Sequence, residues 1–357
     1  MSTGPKGAVT TPVDRWEPPL PVERGPLSGA VIGALTGRFG DLAPIAALDI
    51  DLHGSDLHRA DPLSDDDFHL ALYVCYELHY RGFAGVDEGW EWNPSLIGFR
   101  GRLENLFESA LRERFGHVVP ADLADTTSIL VEIANQPGPS VSKYLKDRVS
   151  LARYREFMIH KSPYQLKEFD PQSWIIPRLE GKAKAAMIEV AFDEYGCGRS
   201  DQIHAVLFRN TMEALGLDGR YGAYLDRIPG PTLAPVNLMT MFGLHRRLTG
   251  AAVGHLAIGE LTSSLSTKRS ADGLRKLGFG ADATHFFDEH VIADSIHDMI
   301  TLHDLAGGLA DGNPTMAECI VFGAAAGAGL DAMFADYLLG CWERNEPSLR
   351  GPRECGE

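Results

Sequence analysis

The sequence predicts an all-α fold, and three observations carry that expectation. Apolar residues recur at three- and four-residue intervals over long segments, the spacing of one helical face. Runs that alternate with period two, the strand signature, are nearly absent. Helix-start signals stand before the periodic segments, in Ser64-Asp65-Asp66-Asp67, Asn93-Pro94 and Asn313-Pro314. A chain of 357 residues with 44% hydrophobic and 23% charged content suits one large domain or two modest ones. No internal repeat shows.

Residues 1–26 are rich in Pro, Gly and Thr and carry Pro18, Pro19 and Pro21, which block regular structure. They read as a flexible N-terminal tail. An N-terminal helical portion follows over 27–150. Its first clear helix starts with Ser64 as cap and acids at the positive end of the dipole, then runs through Phe68, Leu72 and Tyr76 towards Gly82. The next starts at Asn93-Pro94 and carries Leu96, Leu103, Phe107 and Leu111. Short helices are expected over 125–135 and 140–146. From 151 the helices lengthen, over 151–169, 177–195, 200–215, 236–265, 282–309 and 313–339. Gly243, Gly250 and Gly254 are candidate breaks in the fourth of these. Residues 151–345 form the core and 346–357 a C-terminal tail.

The formal net charge of −16 argues against a nucleic-acid partner, which needs a basic footprint. The cysteines, Cys75, Cys197, Cys319, Cys341 and Cys355, form no CxxC pair, so neither a zinc knuckle nor a thioredoxin motif is visible. Their odd number suits a reducing compartment. No apolar run approaches the roughly 20 residues of a membrane span, and the N-terminus lacks a charged-then-apolar leader. A soluble cytoplasmic protein is expected, without membrane partners.

The most informative stretch is Phe286 to Ile300. Read as a helix, it places His290, Asp294 and His297 at i, i+4 and i+7, within roughly 60° of arc. Two imidazoles and a carboxylate on one stripe can reach a single metal ion or two adjacent ones. Val291, Ile296, Met299 and Ile300 flank the stripe, as expected if it points into a core. The competing reading is an amphipathic helix whose polar stripe faces water. Paired Glu-x-x-His motifs of the ferritin type are absent; the chain has Asp201-His204 and Asp294-His297 instead. Glu194 precedes a Gly196-x-Gly198 break and His204 follows it, so the two can converge. Glu168 falls in the last turn of its expected helix, where the dipole disfavours a carboxylate. Glu189 and Glu260 also lie on apolar helices, either as partners for ligand imidazoles or as salt-bridged residues.

Glu168, then Glu194 and His204 across the Glu-Tyr-Gly-x-Gly break, then His290-x-x-x-Asp294-x-x-His297 resemble the ligand set of the haem-oxygenase-like di-iron oxidases and oxygenases. The resemblance covers about 151–339 and is closest to the branch that oxidises nitrogen in natural-product pathways. It implies a haem-oxygenase-like seven-helix bundle with additional N-terminal helices, two Fe(II) ions as cofactor and O₂ as co-substrate. It implies no catalytic residue beyond the metal ligands. Glu168, His204 and Asp294 would serve one iron; Glu194, His290 and His297 would complete the site. A small-molecule amine would be oxidised to a hydroxylamine or nitro product, with an external electron donor. The N-terminal helices would serve a homodimer, a reading helped by the apolar content of 68–111. Cys197 departs from the pattern, since relatives tend to have a small residue there. Tyr164, Trp174, Tyr195 and Phe287 are candidate substrate-pocket residues, each of which also fits plain core packing.

The same ligand set serves oxidative decarboxylation, desaturation and carbon–carbon cleavage elsewhere in the family, so these are the alternatives. Two readings from other classes remain: a metal-free helical hydrolase using Cys197, and a non-catalytic helical binding protein. Metal content separates all three.

Overall fold

The computed structural model describes residues 16–38, 61–118 and 125–351, with the side chains of 118 and 292–296 outside that description. Among the described residues every regular element is helical. In chain order these are α1 (Pro26–Leu35), α2 (Asp66–Glu77), α3 (Pro94–Phe115), α4 (Thr126–Ala134), α5 (Val141–Asp147) and α6 (Leu151–Gln165). The single turn α7 (Asp170–Ser173) leads to α8 (Gly181–Glu194), α9 (His204–Ala214), α10 (Gly230–Leu244), α11 (Thr249–Lys276) and α12 (Ala281–Met299). A π-helical segment, Ile300–Gly307, and a turn, α13 (Gly308–Ala310), precede α14 (Pro314–Glu343).

The caps follow the sequence closely. Asn93, Asp125, Ser140 and Asn313 each accept backbone N–H bonds at the starts of α3, α4, α5 and α14. At α2 the cap is Asp65 rather than Ser64, accepting from the Phe68 amide at 2.8 Å.

At the centre α11 and α14 run against each other at backbone distance. A Cβ on Gly254 would stand 1.9 Å from the Ile320 carbonyl oxygen, and one on Gly323 2.0 Å from that of Ala251. The helix expected over 236–265 is therefore two helices, and its glycines are not the break. The chain turns instead at the 3₁₀ segment Arg246–Leu248. There the Arg178 guanidinium donates to the Gly243 and Leu244 carbonyls at 2.6 and 2.8 Å, satisfying the end of α10. Gly250 and Gly254 lie inside α11, where the missing side chains admit α14. By length and composition α14 is apolar enough to cross a membrane, but 61% of its most apolar window is buried in the protein. Its hydropathy is that of a helix surrounded by protein.

Around this pair, α12 lies on α11, α9 on α12, α8 on the π segment, α2 on α10 and α1 on α2. Phe68, Leu70, Leu72 and Val74 of α2 share one buried cluster with Leu233, Leu238 and Phe242 of α10. The apolar residues that suggested a dimer interface are thus covered within one chain.

Parts of both expected tails are fixed. Trp16 Nε1 donates to the Tyr221 carbonyl at 2.8 Å, the Val22 amide to Asp226 at 2.7 Å, and Arg24 to the Leu225 carbonyl at 2.9 Å. The prolines that prevent a helix here favour an extended strap, whose polar groups find partners on the core. At the other end Ser348 bonds Glu156 and His160, and the Arg350 amide donates to the Arg227 carbonyl at 2.8 Å. Residues 1–15 and 352–357 lie outside the described residues.

Two predictions follow from this packing. Gly254→Val drives branched carbon into the Ile320 carbonyl and should destabilise by about 1–3 kcal/mol in urea unfolding, as overpacked cores do. The second concerns pH. His69 and His160 are buried, and burial pushes both imidazoles down to about 3. In the unfolded chain they titrate near about 6.5, so above that pH both states are neutral and neither residue adds a pH dependence. As pH falls from about 6.5 towards 3 the unfolded chain takes up protons that the folded chain refuses, and stability declines. Unfolding free energies across this window should show that decline, and His160→Gln should make it shallower.

Candidate metal centre

Helix α6 ends at Gln165, so Glu168 lies beyond the helix rather than in its last turn. The following turn closes at Phe169 in the left-handed region, φ 69°. Within it, consecutive side chains point apart. Lys167 is buried against α2, its Nζ 2.8 Å from Glu77 and 4.2 Å from the Tyr80 ring centroid. Glu168 points inward, where Gln165 donates to its Oε1 at 2.9 Å.

Glu194 is the last residue of α8. Gly196, Cys197 and Gly198 then take φ values of 76°, 53° and 81°, and the loop folds back so tightly that a Cβ on Gly196 would meet the Ile203 nitrogen at 2.6 Å. Glycine is needed there for both conformation and space. The chain re-enters helix with His204 as the first residue of α9, about one turn later than the start expected at 200. His204 Nδ1 thereby comes 2.8 Å from Glu194 Oε2. From α12, His290 donates its Nδ1 proton to the Phe286 carbonyl at 2.8 Å, which selects the tautomer and turns Nε2 towards Glu168 Oε1, 3.4 Å away. The His204 and His290 rings have centroids 4.3 Å apart. Two turns on, the fully buried His297 places Nε2 3.0 Å from Asp193 Oδ2 and Nδ1 3.6 Å from Glu260 Oε2.

Two groups of candidate donors result. Glu168, Glu194, His204 and His290 offer atoms within 4.8 Å of one another, and so do Glu194, Glu260 and His297. Glu194 belongs to both. The grouping differs from the one the resemblance implies, since His290 joins Glu168 and His204 while His297 stands with Glu260. The Asp294 side chain lies outside the described residues, although its backbone continues α12.

The buried atoms fit a cation. Glu168 Oε2, Glu194 Oε2, His204 Nδ1 and His297 Nδ1 are buried without a well-formed hydrogen bond, although His204 Nδ1 stands 2.8 Å from Glu194 Oε2. Orphaned buried polar atoms are costly, and a positive ion among them would satisfy all four. The electrostatics agree. Burial raises the Glu260 carboxyl, with His297 opposing it. Burial acts against the charge of His297, yet Glu260 and Asp193 outweigh it and hold the imidazole up at about 9. For Glu194, burial is outweighed by His204, then by His290 and His297, and the carboxyl sits below its usual range. A mixed carboxylate and imidazole set suits Fe(II).

Glu260 and Asp193 are the residues that sequence reasoning underused. Glu260 was expected at most as a partner to a ligand imidazole; its one local signal is a carboxylate among apolar neighbours on α11. Glu189 faces solvent. Asp193 has no sequence signal, because only the meeting of α8 with α12 brings it to His297.

A cavity of about 650 Å³ opens from Glu168, Glu194, Glu260 and His290 towards the α4–α5 loop. Tyr164 and Phe287 line it, together with Phe286, Val236 and Met239. Trp174 and Tyr195 do not. Trp174 lies edge-on to His79 and close to Gly243, on the α10 side. Tyr195 donates to Asp170 at 3.0 Å and packs on Phe169, behind the turn that carries Glu168. Cys197 is exposed and outside the cavity, and its thiol donates to Asp193, which raises its pKa. A nucleophilic cysteine needs the opposite shift.

Comparison with known proteins points the same way as the donor set. The model of a family described as iron-containing redox enzymes matches residues 155–332, about half of the chain and all of the cluster. A protein named nitrosourea synthase, from Streptomyces achromogenes subsp. streptozoticus, is 30% identical over 144 residues. That stretch is 40% of this chain and 30% of the relative, so the chain spans well under two thirds of the relative's length.

A folded-state cation site predicts ligand-linked stability. Fe(II) added anaerobically at about a hundred times its dissociation constant should stabilise by about 2.7 kcal/mol, read as a rise in Tm. Glu168→Gln should shrink the rise. An unchanged Tm would remove the site.

Proposed function

The chain belongs to the iron-containing redox enzyme family, and on that premise we propose that it is a di-iron, O₂-dependent oxygenase that oxidises an amino nitrogen of a small metabolite to a hydroxylamine or nitro group. The observation that carries the di-iron reading is Glu194, the carboxylate common to both donor groups. A bridging carboxylate between two facing sets is how helical bundles hold a metal pair. The nitrogen preference rests on the partial similarity to nitrosourea synthase, since a nitrosourea carries oxygen on nitrogen.

Glu168, His204 and His290 would hold one ion, Glu260 and His297 the other, with Glu194 shared and Asp294 a further candidate. When bound, the iron pair supplies the O₂ chemistry. Oxidation of an amine to a hydroxylamine leaves one oxygen atom on nitrogen; the other departs as water, with two electrons and two protons from an external donor. This chain's residues supply the surroundings. Phe286 and Phe287 exclude water from the inner wall. Tyr164 stays a neutral phenol, because burial, and then Glu168 and Glu194, push its pKa well up. Gln172 donates to its oxygen at 2.8 Å, so the phenol proton is available to the cavity. Asp193 and the Phe286 carbonyl set the ring orientations of His297 and His290. A homodimer and a cytoplasmic location belong to the same proposal.

Iron analysis and isotope labelling test it. The wild type should hold two irons per chain, Glu260→Gln about one, and Glu194→Gln neither site intact. With ¹⁸O₂, a reductant and a panel of amines, label should appear on nitrogen. Label only in water, with an alkene or a shortened carbon chain as product, moves the protein to desaturation or decarboxylation and leaves the metal assignment standing.

A further inference from the structure

The cavity has a chemistry at its outer end that the cluster does not explain. Two cations line it, Lys161 on α6 and Arg269 on α11. Among the described residues neither has a carboxylate at ion-pair distance. Lys161 Nζ lies over the Phe157 and Phe334 rings, 5.8 and 5.3 Å from their centroids, and Arg269 makes only a long 3.4 Å bond to Ser140 Oγ. In a chain of net charge −16, two half-buried cations left with rings and a hydroxyl inside one cavity are free to meet an anion. Outside the cluster, Asp331 is the carboxylate in the lining, exposed at the rim beside His255.

Arg269 follows Glu260 by nine residues on one continuous helix, about 14 Å along the axis, and Lys161 stands on α6 one turn before its end at Gln165, with both side chains in the lining of the same cavity. The hydroxyls between them on α11 do not compete for an anion: Thr262, Ser266 and Thr267 already donate to carbonyls of their own helix. Across from these self-satisfied hydroxyls the lining is aromatic, with Phe157, Tyr164, Phe286, Phe287 and Phe334.

We propose that Lys161 and Arg269 form an anion subsite for the far end of the substrate, which is an elongated molecule with a carboxylate separated from its reacting group by an apolar spacer on the order of 10 Å. The subsite deepens the function proposed above and rests on it only for the identity of the reacting end. An arginine and a lysine approaching from two helices would bind one carboxylate with charge-assisted hydrogen bonds, and the spacer would lie between aromatic walls.

The test measures binding, not turnover. A homologous series of straight-chain ω-amino carboxylates and the matching alkylamines is titrated into the Fe(II)-loaded protein without O₂, and into the metal-free protein, by calorimetry. The amino carboxylates should bind at least about tenfold tighter than amines of equal length, with an optimum chain length. Lys161→Gln and Arg269→Gln should each lose about tenfold for the carboxylates and little for the amines, and the double variant should not distinguish the two series. Circular dichroism and iron content should match the wild type. Equal binding of both series by wild type, or a preference that survives in the double variant, overturns the subsite. A preserved carboxylate preference in a protein that holds no iron sustains it and sinks the di-iron reading instead.

Discussion

Burying a carboxylate away from water requires positive charge to accompany it, and Glu194 is where that constraint is most severe. It is 5% exposed, ends a helix, and faces three imidazoles with no hydrogen bond that satisfies Oε2. Glu168 and Glu260 bring two further buried carboxylates to the same place. Such a group of acids is unfavourable in an apolar interior unless cations compensate it. Protonated histidines do so in part, which is why His297 and His204 are raised. Metal ions do so more completely, and in that case part of the binding energy is folding energy.

The surrounding architecture serves to keep these groups in position. Close packing of α11 on α14 gives Glu260 a rigid base, made possible by glycines whose side chains would collide with the facing backbone. The turn carrying Glu168 is held from behind by the Lys167–Glu77 pair, a bond between the N-terminal helices and the core. Removing one partner of so buried a pair would strand the other charge, so the first third of the chain is tied energetically to the site. The N-terminal helices therefore act within one chain as a support for the metal centre, whatever else their outer faces do.

The cavity adds direction. Its lining joins the acidic cluster with Lys161 and Arg269, and a ligand held at both would lie in a single orientation. The scaffold could host several oxidations; which nitrogen or carbon reaches the cluster depends on where the far end is held.

Local chemistry was legible because it depends on neighbours in sequence. Helix starts at Asn93, Asp125, Ser140 and Asn313, the His290–His297 stripe, and the Gly196–Gly198 break are properties of a few consecutive residues, and each could be read directly. So could five of the donors now found together, Glu168, Glu194, His204, His290 and His297. What sequence missed depends on contacts between distant segments. Gly254 looked like a helix break because nothing local announces α14. Trp174 and Tyr195 were pocket candidates, yet tertiary packing leaves both out of the cavity lining, Trp174 on the α10 side and Tyr195 behind the Glu168 turn. Glu260 and Asp193 had no motif because their roles exist only where α11 and α8 meet α12. The sequence by itself determined the helices, their ends and most of the ligand types, since hydrogen bonds within one turn decide these. Only the tertiary structure decided that Glu194 is shared, that Glu260 completes the second group and that Lys161 and Arg269 line one cavity, because these follow from where the helices cross.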